Sequence, residues 1–230
     1  MTVMENNQSK NSDTVGKRRN TPGRLFIICF INLCLVLLFS SCSAEDSGLL
    51  ESRYGESGSM KAKILVAYGT RAGSTAEVAD AIGKKLAQGG VAVDVRPVKS
   101  LNNISGYSAV VLGSAVRAGK LLPEVTDFVK AHKEELRKLP VAYFVVGMTL
   151  REDTPEKRKI VDAYLDPLRA EVAPVDAGLF AGKMDYAKLG FFERIIIKNM
   201  IKTPEGDLRN WPEINNWAEK LLPKLVDGKK

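Results

Sequence analysis

From Ile64 to Val226, short apolar runs alternate with stretches of helical spacing, and this alternation narrows the possible folds more than any other feature. Ile64–Tyr68 is an unbroken apolar run, as expected of a strand covered on both faces. Ser74–Gln88 follows, with Val78, Ile82 and Leu86 one to two helical turns apart, and Gly89-Gly90 ends it. Val91–Arg96 alternates apolar and polar residues, as an edge strand does. Ala109–Leu112, Val141–Val146 and Val175–Phe180 read as three more strands. Leu121–Leu139, Pro155–Leu168 and Trp211–Val226 read as helices, the last of them amphipathic. Alternating β and α units imply an α/β fold with a doubly wound parallel sheet. Five such strands fit the order 2-1-3-4-5, in which ligands bind beyond the carboxyl ends of the strands.

Residue usage excludes several chemistries. All three cysteines (Cys29, Cys34 and Cys42) precede this region, so it has no disulfide, thiolate nucleophile or Cys-ligated metal. His132 is the only histidine, which removes His-pair metal sites and Ser-His-Asp catalysis. It sits in the charged stretch Glu124–Lys138 and reads as an exposed surface residue. If the chain is an enzyme, a cofactor carries its chemistry. The formal net charge of +7 does not point to nucleic acid, because Lys and Arg are dispersed among acids and form no Arg-rich tract with aromatics.

Residues 1–42 differ in kind. A polar stretch ending in Lys17-Arg18-Arg19 and Arg24 leads into Leu25–Phe39, a 15-residue, mostly apolar run. A bilayer span takes about 20 residues, so this run suits a signal-peptide core better. Phe39-Ser40-Ser41-Cys42 resembles a bacterial lipobox, in which the Cys is lipidated and becomes the mature N-terminus. The alternatives are a short N-terminal membrane anchor, or a true start at Met60 with the domain at the cytoplasmic membrane face. Residues 43–60 are rich in Ser, Gly and Glu and read as a flexible tether, leaving residues 61–230 as the folded domain.

The strongest local motif is Thr70-Arg71-Ala72-Gly73-Ser74-Thr75, between an apolar strand and a helix. A helix N-terminus offers unpaired N–H groups and a positive dipole end to an anion. Thr70, Ser74 and Thr75 add hydroxyls, and Gly73 permits close approach of the backbone. There is no Walker lysine and no G-x-G-x-x-G, so a monophosphate fits better than ATP, GTP or a dinucleotide. Two further strand ends, Gly113–Lys120 and Gly147–Asp153, are expected as loops flanking the same crevice.

Lys63–Thr75 (KILVAYGTRAGST), Val110–Pro123 (VVLGSAVRAGKLLP), Phe144–Asp153 and Gly178–Leu222 together resemble the flavodoxin-like, menaquinone-dependent protoporphyrinogen oxidases. The resemblance spans essentially all of residues 61–230 and includes the Ser114-x-x-Arg117-x-Gly119 pattern. It also includes a basic, apolar insertion, Lys183–Trp211, that plain flavodoxins lack. It implies a flavodoxin-like five-stranded sheet with bound FMN, electrons passing from a porphyrinogen through the flavin to a quinone, and no catalytic side chain. It implies that Thr70, Arg71, Ala72, Gly73, Ser74 and Thr75 hold the FMN phosphate. Ser114, Ala115, Val116, Arg117, Ala118 and Gly119, with Met148, Thr149, Leu150 and Arg151, would border the isoalloxazine. Arg117 would favour the anionic reduced flavin. Ala187–Lys202, apolar on one side and basic on the rest, suits either a helix lying on a membrane surface or a core-packing helix. A membrane-tethered flavin electron carrier or quinone reductase without a porphyrin substrate stands as the alternative activity, and a flavin-free interaction module as a third.

Overall fold

The computed structural model describes residues 49–55, 62–196, 198–199 and 204–228. Residues 1–48, with Cys42 and the Leu25–Phe39 run, lie outside the described residues.

The central strands are β2 (Lys63–Gly69), β3 (Ala92–Pro97), β4 (Ala109–Arg117), β6 (Val141–Gly147) and β7 (Asp176–Ala181). They lie side by side as β3-β2-β4-β6-β7, all parallel, which is the flavodoxin-like order 2-1-3-4-5. Side chains alternate across the sheet, so each face carries its own core. Ile64, Val66 and Tyr68 of β2 pack on the face covered by α1 (Ser74–Ala87) and α7 (Trp211–Val226). Leu65 and Ala67 face the opposite layer, built from α2 (Pro123–Ala131), α3 (Lys133–Leu136), α4 (Pro155–Ala163) and α5 (Asp166–Arg169). All five of these β2 side chains are fully buried, which is why the run shows no polar interruption.

Several elements differ from the reading above. The stretch read as a tether contains β1 (Ser52–Tyr54), antiparallel to β3, so β3 is flanked on both sides and is not the edge. The polar residue within β3, Asp94, does not meet solvent. It is 5% exposed and accepts from Tyr107 Oη at 2.6 Å, with Lys63 Nζ at 2.7 Å and Arg53 Nε at 3.5 Å. Burial alone would raise its carboxyl, but hydrogen bonds and charge from Lys63, Tyr107 and Arg53 outweigh that and hold it below the usual carboxylate range. Burial, followed by the bond to Asp94, pushes the Tyr107 phenol up to about 12.

Two expected helices are broken. Leu121–Leu139 divides at His132, and Pro155–Leu168 divides after Ala163. His132 is half-buried rather than exposed, with its ring 4.6 Å from that of Phe128. With Glu124, Asp127 and Phe128 it lines a cleft of about 390 Å³ beside α2. Among the described residues no helix is long and apolar enough to cross a membrane.

Candidate flavin site

The carboxyl ends of β2, β4 and β6 lie side by side, and each turns into a segment singled out above. At the end of β2 the chain makes a tight turn over Thr70–Gly73 and enters α1. Gly73 has φ +84°, a left-handed conformation that disfavours side-chain-bearing residues. Its N–H donates to Thr70 Oγ1 at 3.0 Å, and Glu77 N–H closes the first helical turn on Gly73 C=O. The earliest N–H groups of a helix have no intrahelical acceptor, so those of Ser74 and the next residues stay available to an anion at the start of α1. The Thr70 and Ser74 hydroxyls each accept one bond from the protein and keep a proton to donate. Thr75 is buried.

Arg71, expected at the phosphate, has its side chain paired within the protein. Its guanidinium grips Glu124 with both nitrogens, Nη2 at 2.9 Å from Oε2 and Nη1 on Oε1. Burial alone would raise the Glu124 carboxyl, but the bonds and charge of Arg71, a backbone hydrogen bond and the charge of Lys99 together hold it below the usual carboxylate range. Arg71 therefore ties the loop to the start of α2, with its charge matched by a carboxylate.

The second segment is not a loop over most of its length. β4 continues through Ser114, Ala115, Val116 and Arg117, turns at Ala118 (φ 49°) and Gly119 (φ 73°), and returns as β5 (Lys120–Leu121). Two consecutive positive φ values make the tight two-residue hairpin expected to end in glycine. Ser114 is 1% exposed and its hydroxyl is engaged internally, accepting from Leu122 N–H and donating to Ala115 C=O. That leaves Ala115 and Val116, half-buried, and the exposed turn Arg117–Gly119 to border a ligand.

The third segment, Met148–Arg151, is a short 3₁₀ turn. Met148 and Thr149 are half-buried and Arg151 is exposed. Leu150 is 4% exposed and packs into the core with Val161 and Leu165, so it does not border the crevice. The second and third segments adjoin, because β4 and β6 pair as far as Ala115 and Val146.

The insertion was expected to hold one helix over Ala187–Lys202. Instead it has a 3₁₀ turn at Tyr186–Lys188 and α6 over Phe191–Ile196, and residues 197 and 200–203 lie outside the described residues. Its two ends pair as β8 (Lys183–Met184) and β9 (Gly206–Asp207). Both ends dock on the first turn of α1. Lys183 N–H donates to Ser74 Oγ at 3.1 Å, and Arg209 Nη1 reaches Glu77 Oε2 at 2.7 Å. Glu77, Glu124 and Arg209 carry no sequence signal that assigns them to the site. Charges at such separations leave no spacing signal.

A turn capped by a left-handed glycine, a helix start and hydroxyl protons are donors of the kind that suits a phosphate monoester, at the switch point of a doubly wound sheet. The observation fits FMN. A Cβ on Gly73 would find open space with only a lysine ammonium, that of Lys188, within 4 Å. This is the site of a flavodoxin-type protein, and the chain belongs to the flavodoxin domain family, whose match covers residues 65–209. Its cofactor is FMN, and it is an FMN-dependent oxidoreductase. Two relatives carry the name protoporphyrinogen IX dehydrogenase [quinone]. The one from Leishmania major is 30% identical over 168 residues, covering 70% of this chain and 72% of its own. The one from Escherichia coli K12 is 25% identical over 172 residues, covering 69% and 94%. Among solved structures, a flavodoxin from the domain Archaea covers 71% of this chain and 98% of its own at 16% identity and TM-score 0.45. A Streptococcus pneumoniae flavodoxin covers 74% and 100% at 18% identity and TM-score 0.44.

Proposed function

We propose that this protein oxidises a porphyrinogen and delivers the electrons through FMN to a quinone. The observation that carries the reading is the basic insertion Lys183–Arg209, docked on the helix that opens from the phosphate loop. It places cations and apolar side chains beside the flavin end of the sheet, and a porphyrinogen is an apolar macrocycle bearing carboxylates. The names of the two relatives support the same substrate pair. FMN, when bound, supplies the hydride acceptor and returns the electrons to the quinone. The protein's own part is to hold the cofactor and to admit an apolar substrate. The loop Thr70–Thr75 takes the phosphate, through the Thr70 and Ser74 hydroxyls and the first N–H groups of α1. Ala115, Val116, the turn Arg117–Gly119, Met148 and Thr149 border the ring. The test is anaerobic. Protoporphyrinogen added to the oxidised protein should bleach the visible flavin absorbance, and a menaquinone analogue should restore it. A flavin reoxidised by the quinone yet untouched by the porphyrinogen would leave only the carrier or quinone-reductase activity.

Membrane attachment belongs to the same proposal. Phe191, Ile195 and Ile196 are 71%, 44% and 46% exposed, in a segment that also carries Lys188, Arg194 and Lys198. Apolar side chains among cations suit the headgroup boundary of an anionic membrane. Cys42 supplies a lipid anchor in this scheme, and residues 43–48 connect it to the domain. The full chain should incorporate radiolabelled fatty acid in a bacterial host and Cys42→Ser should not; no label in the wild type would remove the anchor. Ile195→Ser/Ile196→Ser in the Cys42→Ser background should lower co-sedimentation with anionic vesicles, and equal sedimentation would remove the apolar face from the scheme.

A further inference from the structure

We propose that Lys188 is a side-chain ligand of the FMN phosphate, carried to it by the insertion, and that it sets the preference for FMN over unphosphorylated riboflavin. The inference rests on the reading of Thr70–Thr75 as the phosphate loop and adds to it a residue 113 positions away in sequence.

The geometry is local and specific. Of the atoms around Gly73, only Lys188 Nζ comes within 4 Å of where a Cβ would stand, at 3.4 Å. The ammonium therefore lies beside the left-handed glycine that caps α1, next to the phosphate loop. Lys188 is held there by its own turn. The Asp185 carboxylate accepts from Ala187 N–H at 3.0 Å, and Tyr186 N–H donates to Glu205 Oε1 at 2.8 Å across the insertion. The turn is in turn fixed to α1 by the Lys183–Ser74 and Arg209–Glu77 bonds.

The neighbouring cations do not serve the same purpose. Arg71, within the loop itself, is matched by Glu124. Arg209 is matched by Glu77 and Asp207. Lys188 is exposed and forms no ion pair with a carboxylate among the described residues. A phosphate monoester carries between one and two negative charges near neutral pH. A neutral loop of amides and hydroxyls satisfies its oxygens but leaves that charge without a counter-ion. An ammonium a few ångströms away supplies one, and three freely rotating N–H donors suit a tetrahedral anion. Riboflavin has no phosphate and gains nothing from it.

The experiment titrates the full-length apoprotein, freed of flavin, with FMN and separately with riboflavin, following quenching of flavin fluorescence. In the wild type FMN should bind the tighter of the two. Lys188→Ala should weaken FMN roughly tenfold, the scale of one exposed charge-assisted hydrogen bond, and leave riboflavin unchanged. Lys188→Arg should restore most of the loss. Added salt should erode FMN affinity more in the wild type than in Lys188→Ala. If Lys188→Ala weakens both ligands equally, the insertion acts by covering the site and the proposal falls. If FMN preference survives Lys188→Ala intact, the proposal falls while the loop reading stands. If the wild type shows no preference for FMN, the loop reading falls and takes the proposal with it.

Discussion

Arg209→Met is expected to lower the unfolding free energy by about 2–3 kcal/mol and to release the insertion from α1. The Arg209 side chain is only 3% exposed, and all three of its nitrogens are engaged. Nη1 meets Glu77 at 2.7 Å, while Nε and Nη2 fork onto the two oxygens of Asp207 at 2.7 and 2.5 Å. The guanidinium also lies 4.5 Å from the Trp211 ring centroid. Methionine keeps the packing volume and removes every one of these bonds. Breaking a fully buried pair costs about 3–5 kcal/mol because a charge is left stranded. Here the stranded groups are Glu77 and Asp207, 44% and 39% exposed, and water takes up part of the loss. Thermal unfolding should shift down by roughly 5–10 °C for a domain of this size. Trypsin should cut between Lys183 and Arg209 much faster than in the wild type. Arg209→Lys should recover little, since a point charge cannot replace the fork. An unchanged melting temperature together with unchanged proteolysis would show that the insertion is held by other contacts.

That ion-pair hub marks where sequence reading stops. Strand β2 was legible because burial on both faces writes itself as an uninterrupted apolar run, and the loop after it because glycine and hydroxyl residues stand between a strand and a helix. Partners 132 residues apart, such as Glu77 and Arg209, have no periodicity to reveal them. Gly113-Ser114 misled for a different reason. Both residues are turn formers, so the sequence pattern ends the strand at Leu112. In the fold, Gly113 is a packing residue: a Cβ there would meet the Phe144 ring at 2.0 Å. Ser114 is likewise satisfied inside the protein and stays in the strand. Glycine marks a close approach as often as a turn. The break at His132 leaves no trace in the sequence, since the residues around it are good helix formers. Motif position puts Leu150 at the flavin, whereas its apolar side chain is buried in the core.

Removing residues 1–59, so that the chain begins at Met60, is expected to cost about 3 kcal/mol and to promote concentration-dependent association. Ser, Gly and Glu around a three-residue strand disguised β1 as a tether, yet the contacts it makes are numerous. Tyr68 is fully buried, and its hydroxyl both donates to Leu50 C=O at 2.7 Å and accepts from Leu50 N–H at 2.6 Å. Tyr54 Oη donates to Asp80 at 2.6 Å, and its ring packs on the core beneath α1. The Arg53–Asp94 and Arg96–Glu51 pairs contribute little, because Arg53 is 82% and Glu51 52% exposed. Asp94 also keeps its closer partners Lys63 and Tyr107 in the shortened chain. The loss therefore falls on the Tyr68 bonds, on Tyr54 and on the β1–β3 ladder, whose removal bares the edge of β3 with Val93 and Val95. A double-mutant cycle separates these terms. Tyr68→Phe in the full chain should cost about 1 kcal/mol, the net worth of a buried hydroxyl's bonds. In the shortened chain the same change should cost less, because both Leu50 bonds are already gone. Equal costs in the two backgrounds would mean that Tyr68 finds its partner elsewhere, and that residues 49–55 lie on the sheet without helping to hold it.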